Sequence, residues 1–431
     1  MAISRKAILT MKRSYSCSMP GVWRAVAHSE GALVIFHSPK ACGHVAHDMD
    51  LGSHYRSLAR QEWAPRQYTA PLIASGLTEE HSIFGGAEQL CQCIDYAVEN
   101  YKPQYIMIAN SCVAGVIGDD VKAAALNGEE KWQIPILTVE THGFLGSDYY
   151  TGLYQGASAL IERFMVPQEV RENTVTLLGD RGGLQGADVL EIKDMLKAFG
   201  LSVHCQFPGY SSLAEIRRVP SSSLCVLMGG RQKSHIGIHT LAGDLNVKFK
   251  IPFFDEPCPI GWQETIKWLK ELGRFLGKEE EASAVMRTQE EKMQQALQRY
   301  SSKLEGQKTV LCIGRPLLYF DPAWVLELLT QARVNVTGII LLQGLTGEQQ
   351  QNMQAELEKY TTIPILSEEE GTAVLETADL AVTTHELAAH IRRQFFLPVV
   401  PPVGTGGLIE LLAKLARLAV RTKQRGGIIY G

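Results

Sequence analysis

The chain has 431 residues, of which 45% are hydrophobic and 20% charged, and its formal net charge is −4. This length is too great for a single core and predicts two to four domains. The balanced charge gives no reason to expect nucleic acid or an acidic membrane surface as a partner, and no apolar run approaches the roughly 20 residues of a membrane span. Because the N-terminus lacks a signal peptide's apolar core, we expect a cytoplasmic protein.

Short apolar runs alternate with helical stretches along the whole chain, the pattern that is typical of parallel-sheet α/β domains. In the first region the strands are predicted at 32–36, 105–109 and 135–139. In the second region we predict strands at 174–180, 201–204 and 224–228 and a helix at 189–199. In the third region strands are predicted at 309–314, 334–342, 364–366 and 380–383, followed by a final helix at 408–422.

These elements predict three doubly wound, Rossmann-like α/β domains with parallel sheets. We place the domains at 1–168, 169–285 and 286–431, and we interpret the charged helical stretch 279–303 as a connector.

Three of the nine cysteines follow strands or occupy turns among small residues. They are Cys17, Cys42 and Cys112. Thiolates beside Gly and Pro can approach a metal cluster closely because little side-chain bulk surrounds them. An iron–sulfur cluster usually takes four protein ligands, so three cysteines indicate a cluster that a second polypeptide completes.

The remaining cysteines are interpreted mainly as packing residues. Cys205, Cys225 and Cys312 lie in or beside apolar strands, where a free cysteine is a small buried hydrophobe. Cys91 and Cys93 lie two positions apart in a helical pattern, so they face different directions and are also assigned to the core. Cys258 lies in a Pro-flanked turn and stays open.

Several segments around the three cysteines carry a resemblance. Residues 101–120 (YKPQYIMIANSCVAGVIGDD) resemble the segment around the third cluster cysteine in nitrogenase component 1 subunits. Residues 84–90 (FGGAEQL) are similar to the glycine-pair motif of that family, and 17–21 and 37–43 are similar to its first two cysteine segments. Residues 143–152 resemble the part of β-type subunits that contributes a serine, here Ser147, to the larger cluster, and 252–269 resemble a second-domain motif.

The resemblance implies a cluster held by Cys17, Cys42 and Cys112, with Ser147 as an additional oxygen ligand. The cluster would be an eight-iron (8Fe-7S), P-cluster-like centre or a 4Fe-4S cluster, shared with a paralogous α-type subunit in an α2β2 heterotetramer. The family further implies electrons from a separate ATP-dependent iron–sulfur reductase. Residues 227–235 contain no cysteine where catalytic α subunits have one, so we expect a β-type subunit whose partner holds the catalytic cofactor. His385 is a conceivable cofactor ligand.

Two other functions stay open at this stage. One is a scaffold on which an iron–sulfur cofactor is matured, and the other is a non-redox α/β protein that binds a small ligand between domains. Ser147 favours the redox subunit over the scaffold because an extra oxygen ligand suits an eight-iron cluster. The substrate is not readable from the sequence.

Polar residues near the cysteines have local roles to weigh. His142 and His44 could donate hydrogen bonds to a cluster, whereas His44 with His47 could imitate a zinc pair that lacks a third ligand. We predict that Asp119 and Asp120 cap the helix that follows them.

Overall fold

The computed structural model describes residues 17–48, 68–145, 148–179, 181, 186–229, 233–314, 321–388, 390–391, 393–398 and 400–421. The helices are α1 (Met19–Arg24), α2 (40–48), α3 (His81–Phe84), α4 (Ala87–Tyr101), α5 (Cys112–Ile117), α6 (Val121–Trp132), α7 (Tyr149–Phe164), α8 (Ala187–Lys197), α9 (Leu213–Arg218), α10 (Lys233–Phe249), α11 (Trp262–Leu276), α12 (Glu279–Tyr300), α13 (Pro322–Gln331), α14 (Gly347–Leu357), α15 (Glu368–Glu376) and α16 (Gly404–Ala419).

The strands are β1 (Ala32–His37), β2 (Leu72–Ala74), β3 (Tyr105–Asn110), β4 (Ile136–Val139), β5 (Arg171–Leu178), β6 (Ser202–Phe207), β7 (Ser222–Leu227), β8 (Phe253–Phe254), β9 (Lys308–Ile313), β10 (Asn335–Leu341), β11 (Ile365–Ser367), β12 (Leu380–Thr383) and β13 (Gln394–Phe396). They form three parallel sheets, which confirms the predicted fold class. The sequence analysis missed β2, β8 and β13, which are only two or three residues long and therefore show little periodicity.

The described residues fall into two compact units, one within Met1–Gly186 and Gly200–Pro257, the other within Ala187–Phe199 and Cys258–Gly431. The first unit contains the sheets β2-β1-β3-β4 and β6-β5-β7-β8, whose side chains share one core cluster. The second contains the sheet β11-β10-β9-β12-β13. This division into two units does not test the domain boundaries predicted after residues 168 and 285, which stay predictions.

The first sheet is buried on both faces, as its uninterrupted apolar strands predict. In β1, Val34 and Phe36 pack in the core that contains α1 and α7, whereas Leu33 and Ile35 pack in a second core with α4 and α6. This alternation follows from the two-residue period of a strand. Helices on both faces make the sheet doubly wound.

The strand order of the first sheet reverses between β1 and β3. The chain moves from β1 outward to β2, then returns past β1 to β3 and continues to β4. Open α/β sheets bind ligands outside the carboxyl ends of the strands at such a switch point. Here the switch point lies between residues 37–38, after β1, and residues 110–111, after β3.

The second unit uses acidic side chains to cap its last helix. Asp188 of α8 accepts a hydrogen bond from the Val403 N–H at 3.0 Å, and Glu191 accepts one from the Gly406 N–H at 2.8 Å. The first N–H groups of a helix lack partners within it, so these carboxylates satisfy them. Helix α8, which joins β5 to β6 in the sequence, is thereby fixed within the second unit.

Helix α12, interpreted from sequence as a connector, buries one face against α11 and α16 of the same unit. None of the described helices is both long and apolar enough to cross a bilayer.

Candidate metal-cluster site

The three cysteines singled out by sequence gather around the switch point of the first sheet. Cys17 directly precedes α1, Cys42 lies in α2 just after β1, and Cys112 is the first residue of α5 just after β3. All three are half-buried. Turn positions, expected from the small neighbouring residues, are wrong for Cys42 and Cys112. Both cysteines lie in helices, α2 and α5, that begin just after β1 and β3. At α5 the hydroxyl of Ser111 caps the helix by accepting from the Ala114 N–H at 3.2 Å.

Burial and the neighbouring thiols both shift the pKa values of Cys17 and Cys42. Burial raises the pKa of Cys17, opposed by a hydrogen bond from the Met19 backbone, and the charges of Cys42 and Cys112 raise it further. Burial also raises the pKa of Cys42, opposed by a hydrogen bond from Ser38, and the charge of Cys112 again adds to it. Their surroundings therefore disfavour the thiolate forms of Cys17 and Cys42, and the positive charge of a bound metal cluster would favour them.

The described residues contain no evident site for a single metal ion. Among the described residues, no three or more His, Cys, Asp or Glu side chains converge closely enough to hold one metal ion. His44 and His47 are exposed on α2. The ligands of an iron–sulfur cluster bind different iron atoms, so a cluster does not require its thiols to converge on one point.

Cys17 is positioned by a close contact between α1 and α7. The fully buried Ser18 hydroxyl donates to the Gly143 carbonyl at 2.9 Å. A Cβ on Gly152 of α7 would collide with the Ser18 carbonyl oxygen, and one on Gly21 would collide with the Tyr149 carbonyl oxygen. Only glycine allows these backbones to approach so closely.

Cys112 is held from the other side by the segment after β4. Gly143 has φ +54°, and a Cβ there would lie 2.8 Å from the Cys112 nitrogen. Asn110 fastens this segment by accepting from the Thr141 N–H at 2.8 Å, and its amide lies 3.2 Å from Nδ1 of His142. His142 packs over Gly115 of α5. It supports the helix that begins with Cys112, and its predicted hydrogen bond to a cluster stays a prediction.

The two aspartates after α5 have different partners, which corrects the sequence prediction for one of them. Asp120 caps α6, because its Oδ1 accepts from the Ala123 N–H at 2.9 Å. Asp119 is almost buried and instead pairs with Nε2 of His37 at 2.9 Å. Its other oxygen accepts from the Gly86 N–H at 2.7 Å.

The other residues predicted from the sequence have different surroundings. Ser147 lies outside the described residues, so its role as a ligand stays a prediction. Cys205, Cys225 and Cys312 are buried, as predicted, and burial raises the pKa of Cys205 and Cys312 to about 12. Cys93 and Cys258 are also buried, and Cys91 is half-buried against the core of α4 and α6. His385 lies over Gly314, with its Nδ1 2.9 Å from the Thr384 hydroxyl.

Exposed apolar side chains lie on the elements that carry the thiols and on neighbouring segments. Phe84 and Ile83 of α3 are 85% and 76% exposed, and α3 packs against α5. The others are Val45 of α2, Val116 of α5, and Phe144 and Leu145 after His142. We call these six residues the apolar rim. Grouped exposed apolar residues mark interaction sites.

A histidine at the C-terminal end of α1 makes the stability of the first unit depend on pH. Nδ1 of His28 lies 3.0 Å from the Tyr68 carbonyl, and Nε2 lies 3.1 Å from the Arg24 guanidinium. Nδ1 therefore carries the proton and Nε2 accepts. Burial, followed by the charge of Arg24, lowers the pKa of His28 to about 4.

The sign of the pH effect follows from that lowered pKa. Stability from the neutral imidazole is present above the unfolded pKa of about 6.5 and is lost as pH falls towards about 4. We expect His28 to cost the chain about 2 kcal/mol of unfolding free energy between pH 7 and pH 5. Urea unfolding of the wild type and of His28→Gln at both pH values measures this. An equal loss in both proteins would contradict the assignment to His28.

The fold and this site define a class of protein: a doubly wound α/β chain with three parallel sheets and a group of thiols at the switch point of the first. The chain belongs to the family of nitrogenase component 1 type oxidoreductases, whose sequence profile matches residues 17–403. The match begins at Cys17.

Individual relatives agree with the family. The nitrogenase iron-molybdenum cofactor biosynthesis protein NifE of Clostridium pasteurianum is 30% identical over 56% of this chain and 52% of its own length. The nitrogenase molybdenum-iron protein alpha chain of Methanosarcina barkeri is 23% identical over 69% of this chain and 57% of its own. The alignments thus span about half the length of these relatives. The structure of nitrogenase Cp1 at pH 5 has the same fold, with a TM-score of 0.62 over 97% of this chain and 90% of that chain at 15% identity.

Sequence reasoning found the three cysteines but missed the polar network behind them. Asp119, His37 and Ser75 are far apart in the sequence, and no local pattern joins them. The one available signal was the Gly85–Gly86 pair before α4, because a glycine at a helix N-terminus allows a carboxylate to approach its N–H closely.

Proposed function

We propose that this chain is the β-type subunit of a nitrogenase-like reductase complex and binds an iron–sulfur cluster at its interface with a paralogous α-type subunit. The observation that carries the proposal is the group of three half-buried thiols at one switch point, inside a rim of exposed apolar residues. The cluster, when bound, accepts and passes on single electrons at low potential. Both an eight-iron, P-cluster-like centre and a 4Fe-4S cluster are compatible with the three thiols.

The chain's own residues then have defined tasks. Cys17, Cys42 and Cys112 ligate iron, and Ser147 is the proposed oxygen ligand of the larger cluster. Asn110 and Gly143 hold the Cys112 helix against the segment after β4. Together these residues fix the ligands before the metal arrives, which lowers the cost of binding.

The proposal includes two partners. Three thiols leave a cluster short of ligands, so the missing ones come from the α-type subunit, which covers at least part of the apolar rim in a heterotetramer. Electrons come from a separate ATP-dependent iron–sulfur reductase that docks transiently, and the catalytic cofactor lies in the α-type subunit. We propose that the complex is cytoplasmic because none of the nine cysteines, all of which lie in the described residues, forms a disulfide.

The apolar rim makes the partner proposal testable. Anaerobic co-expression with the paralogous subunit should give a brown hetero-oligomer, and Phe84→Asp should weaken the complex at least about 10-fold, since a buried unpaired charge is costly at an interface. The fold should survive because Phe84 is 85% exposed. Val247→Asp is the matched control: Val247 is 73% exposed on α10, which carries none of the thiols. Gel filtration and the iron content of the purified complex measure how each substitution affects assembly. Equal complexes from both variants would contradict an interface at the rim.

The second candidate is a scaffold for maturation of an iron–sulfur cofactor. The relative at 30% identity is named a cofactor biosynthesis protein, which favours this candidate. An assay of the complex with dithionite, with and without the ATP-dependent reductase and MgATP, separates the two. A reductase turns over substrate only with both components, whereas a scaffold transfers metal to an acceptor protein without turnover. Full turnover on dithionite alone would refute the proposed electron supply.

A further inference from the structure

A single buried residue, His37, contacts both ends of the helix that begins with Cys112. Its carbonyl oxygen accepts from the Ser111 N–H at 3.1 Å, immediately before α5. Its Nε2 lies 2.9 Å from Oδ2 of Asp119, just after α5. His37 is also the last residue of β1, five positions before Cys42. It therefore connects two of the three thiol-bearing segments.

Asp119 extends this connection to a third element. Its Oδ1 accepts from the Gly86 N–H at 2.7 Å, at the N-terminus of α4, where the helix dipole favours negative charge. A Cβ on Gly86 would lie 2.8 Å from Oδ2 of Asp119 and 3.2 Å from Cε1 of His37, so only glycine fits. A carboxylate oxygen accepts hydrogen bonds, so Nε2 of His37 is the donor in its contact with Oδ2 of Asp119.

The network continues on the other side of the imidazole. Burial lowers the pKa of His37, opposed by Asp119, so the ring is neutral and Nδ1 is an acceptor. The Ser75 hydroxyl, 3.0 Å away, donates to Nδ1 and accepts from the Ser38 N–H at 3.1 Å. Ser38 begins the segment that leads to Cys42. An unbroken hydrogen-bonded chain thus runs from α4 through Asp119 and His37 to the Cys42 segment.

We propose that Asp119 is a positioning residue for the cluster site: through His37 it clamps α5 and fixes the separation of Cys42 and Cys112. This inference rests on the proposed function, because it takes the two thiols as cluster ligands. Asp119 itself does not touch the metal. Its effect is to remove the freedom of the Cys112 helix to move relative to β1.

Three substitutions separate positioning from general stability. In Asp119→Asn, the side-chain oxygen still accepts from Gly86 and the amide donates to Nε2 of His37, which then carries its proton on Nδ1 and donates to Ser75. Asp119→Ala leaves the buried Gly86 N–H and His37 Nε2 without partners. Asp120→Ala is the matched control, because it removes the cap of α6, worth about 1 kcal/mol, and leaves His37 untouched.

The experiment uses the co-expressed complex and measures iron release to a chelator and the electron paramagnetic resonance spectrum of the reduced cluster. We expect Asp119→Ala to release iron about 10-fold faster and to change the spectrum. Asp119→Asn should match the wild type, and Asp120→Ala should lose stability with an unchanged spectrum. If Asp119→Ala gives no folded complex, Ser75→Ala, which cuts the same chain at a neutral residue, should show the faster release.

Wild-type spectra and release rates in Asp119→Ala or Ser75→Ala would overturn the inference, as would Asp119→Asn behaving like Asp119→Ala. A Cys42→Ala complex measured in parallel separates this failure from failure of the proposed function. If Cys42→Ala keeps its iron, the proposed function fails. If Cys42→Ala loses its iron but the Asp119→Ala and Ser75→Ala complexes keep theirs, the positioning role of Asp119 is refuted and the proposed function stands.

Discussion

Replacing Cys17, Cys42 or Cys112 by Ala should remove most of the iron from the complex or disassemble it. Each thiol is half-buried and lies within range of the others' charges. A cluster that loses one of the three thiolates from this chain is left short of a ligand, because iron–sulfur clusters usually take four from protein. Metal binding and assembly are coupled, so losing a ligand should also weaken the complex.

The measurement is iron per complex after anaerobic purification, with electron paramagnetic resonance of the dithionite-reduced sample. Cys91→Ala is the control, since Cys91 is also a half-buried thiol but packs against the core of α4 and α6. It should retain wild-type iron. Full iron content and unchanged spectra in all three site variants would show that these thiols do not hold the cluster.

Gly152→Ala should destabilise the first unit by about 3 kcal/mol, the upper range for overpacking. The added Cβ would collide with the Ser18 carbonyl oxygen, a backbone atom that cannot rotate away. Relief requires α1 to move away from α7, which displaces Cys17 at the start of α1. We therefore expect loss of iron together with loss of stability.

Gly243→Ala provides the matched control. Gly243 is also a mid-helix glycine, on α10, and no atom lies within 4 Å of its added Cβ. This change should stabilise the chain by about 0.5–1 kcal/mol through helix propensity alone. Denaturant unfolding of both variants distinguishes a steric effect from propensity. Stabilisation by both substitutions would exclude the close contact between α1 and α7.

The proposal of a β-type subunit depends on a departure from the sequence expected of catalytic α subunits. No cysteine occurs in 227–235, and His385 lies over Gly314. The assignment as a β-type rather than an α-type subunit rests on this departure and stays a prediction, since the relatives include a nitrogenase alpha chain.

The parallel α/β fold and the three candidate ligands could be predicted from the sequence alone. Continuous apolar runs such as 32–36 and 105–109 predict strands buried on both faces, because local composition records burial directly. A cysteine directly after such a strand must lie at the carboxyl edge of the sheet, so Cys42 and Cys112 were predictable as neighbours. Cys17 was singled out by its small, turn-forming neighbours and by the family resemblance, since no strand is predicted before it.

The contacts that hold those ligands in place are visible only in the tertiary structure. Asp119 reads as a helix cap in sequence, yet it lies beside His37 because the β2-β1-β3-β4 order brings residues 82 positions apart together. The same holds for Gly152 against Ser18, and for α8, which belongs with the C-terminal helix although it connects β5 to β6. Local sequence encodes which residues are buried and where elements end. The pairing of distant polar atoms depends on strand order and close backbone approach, which no local pattern contains.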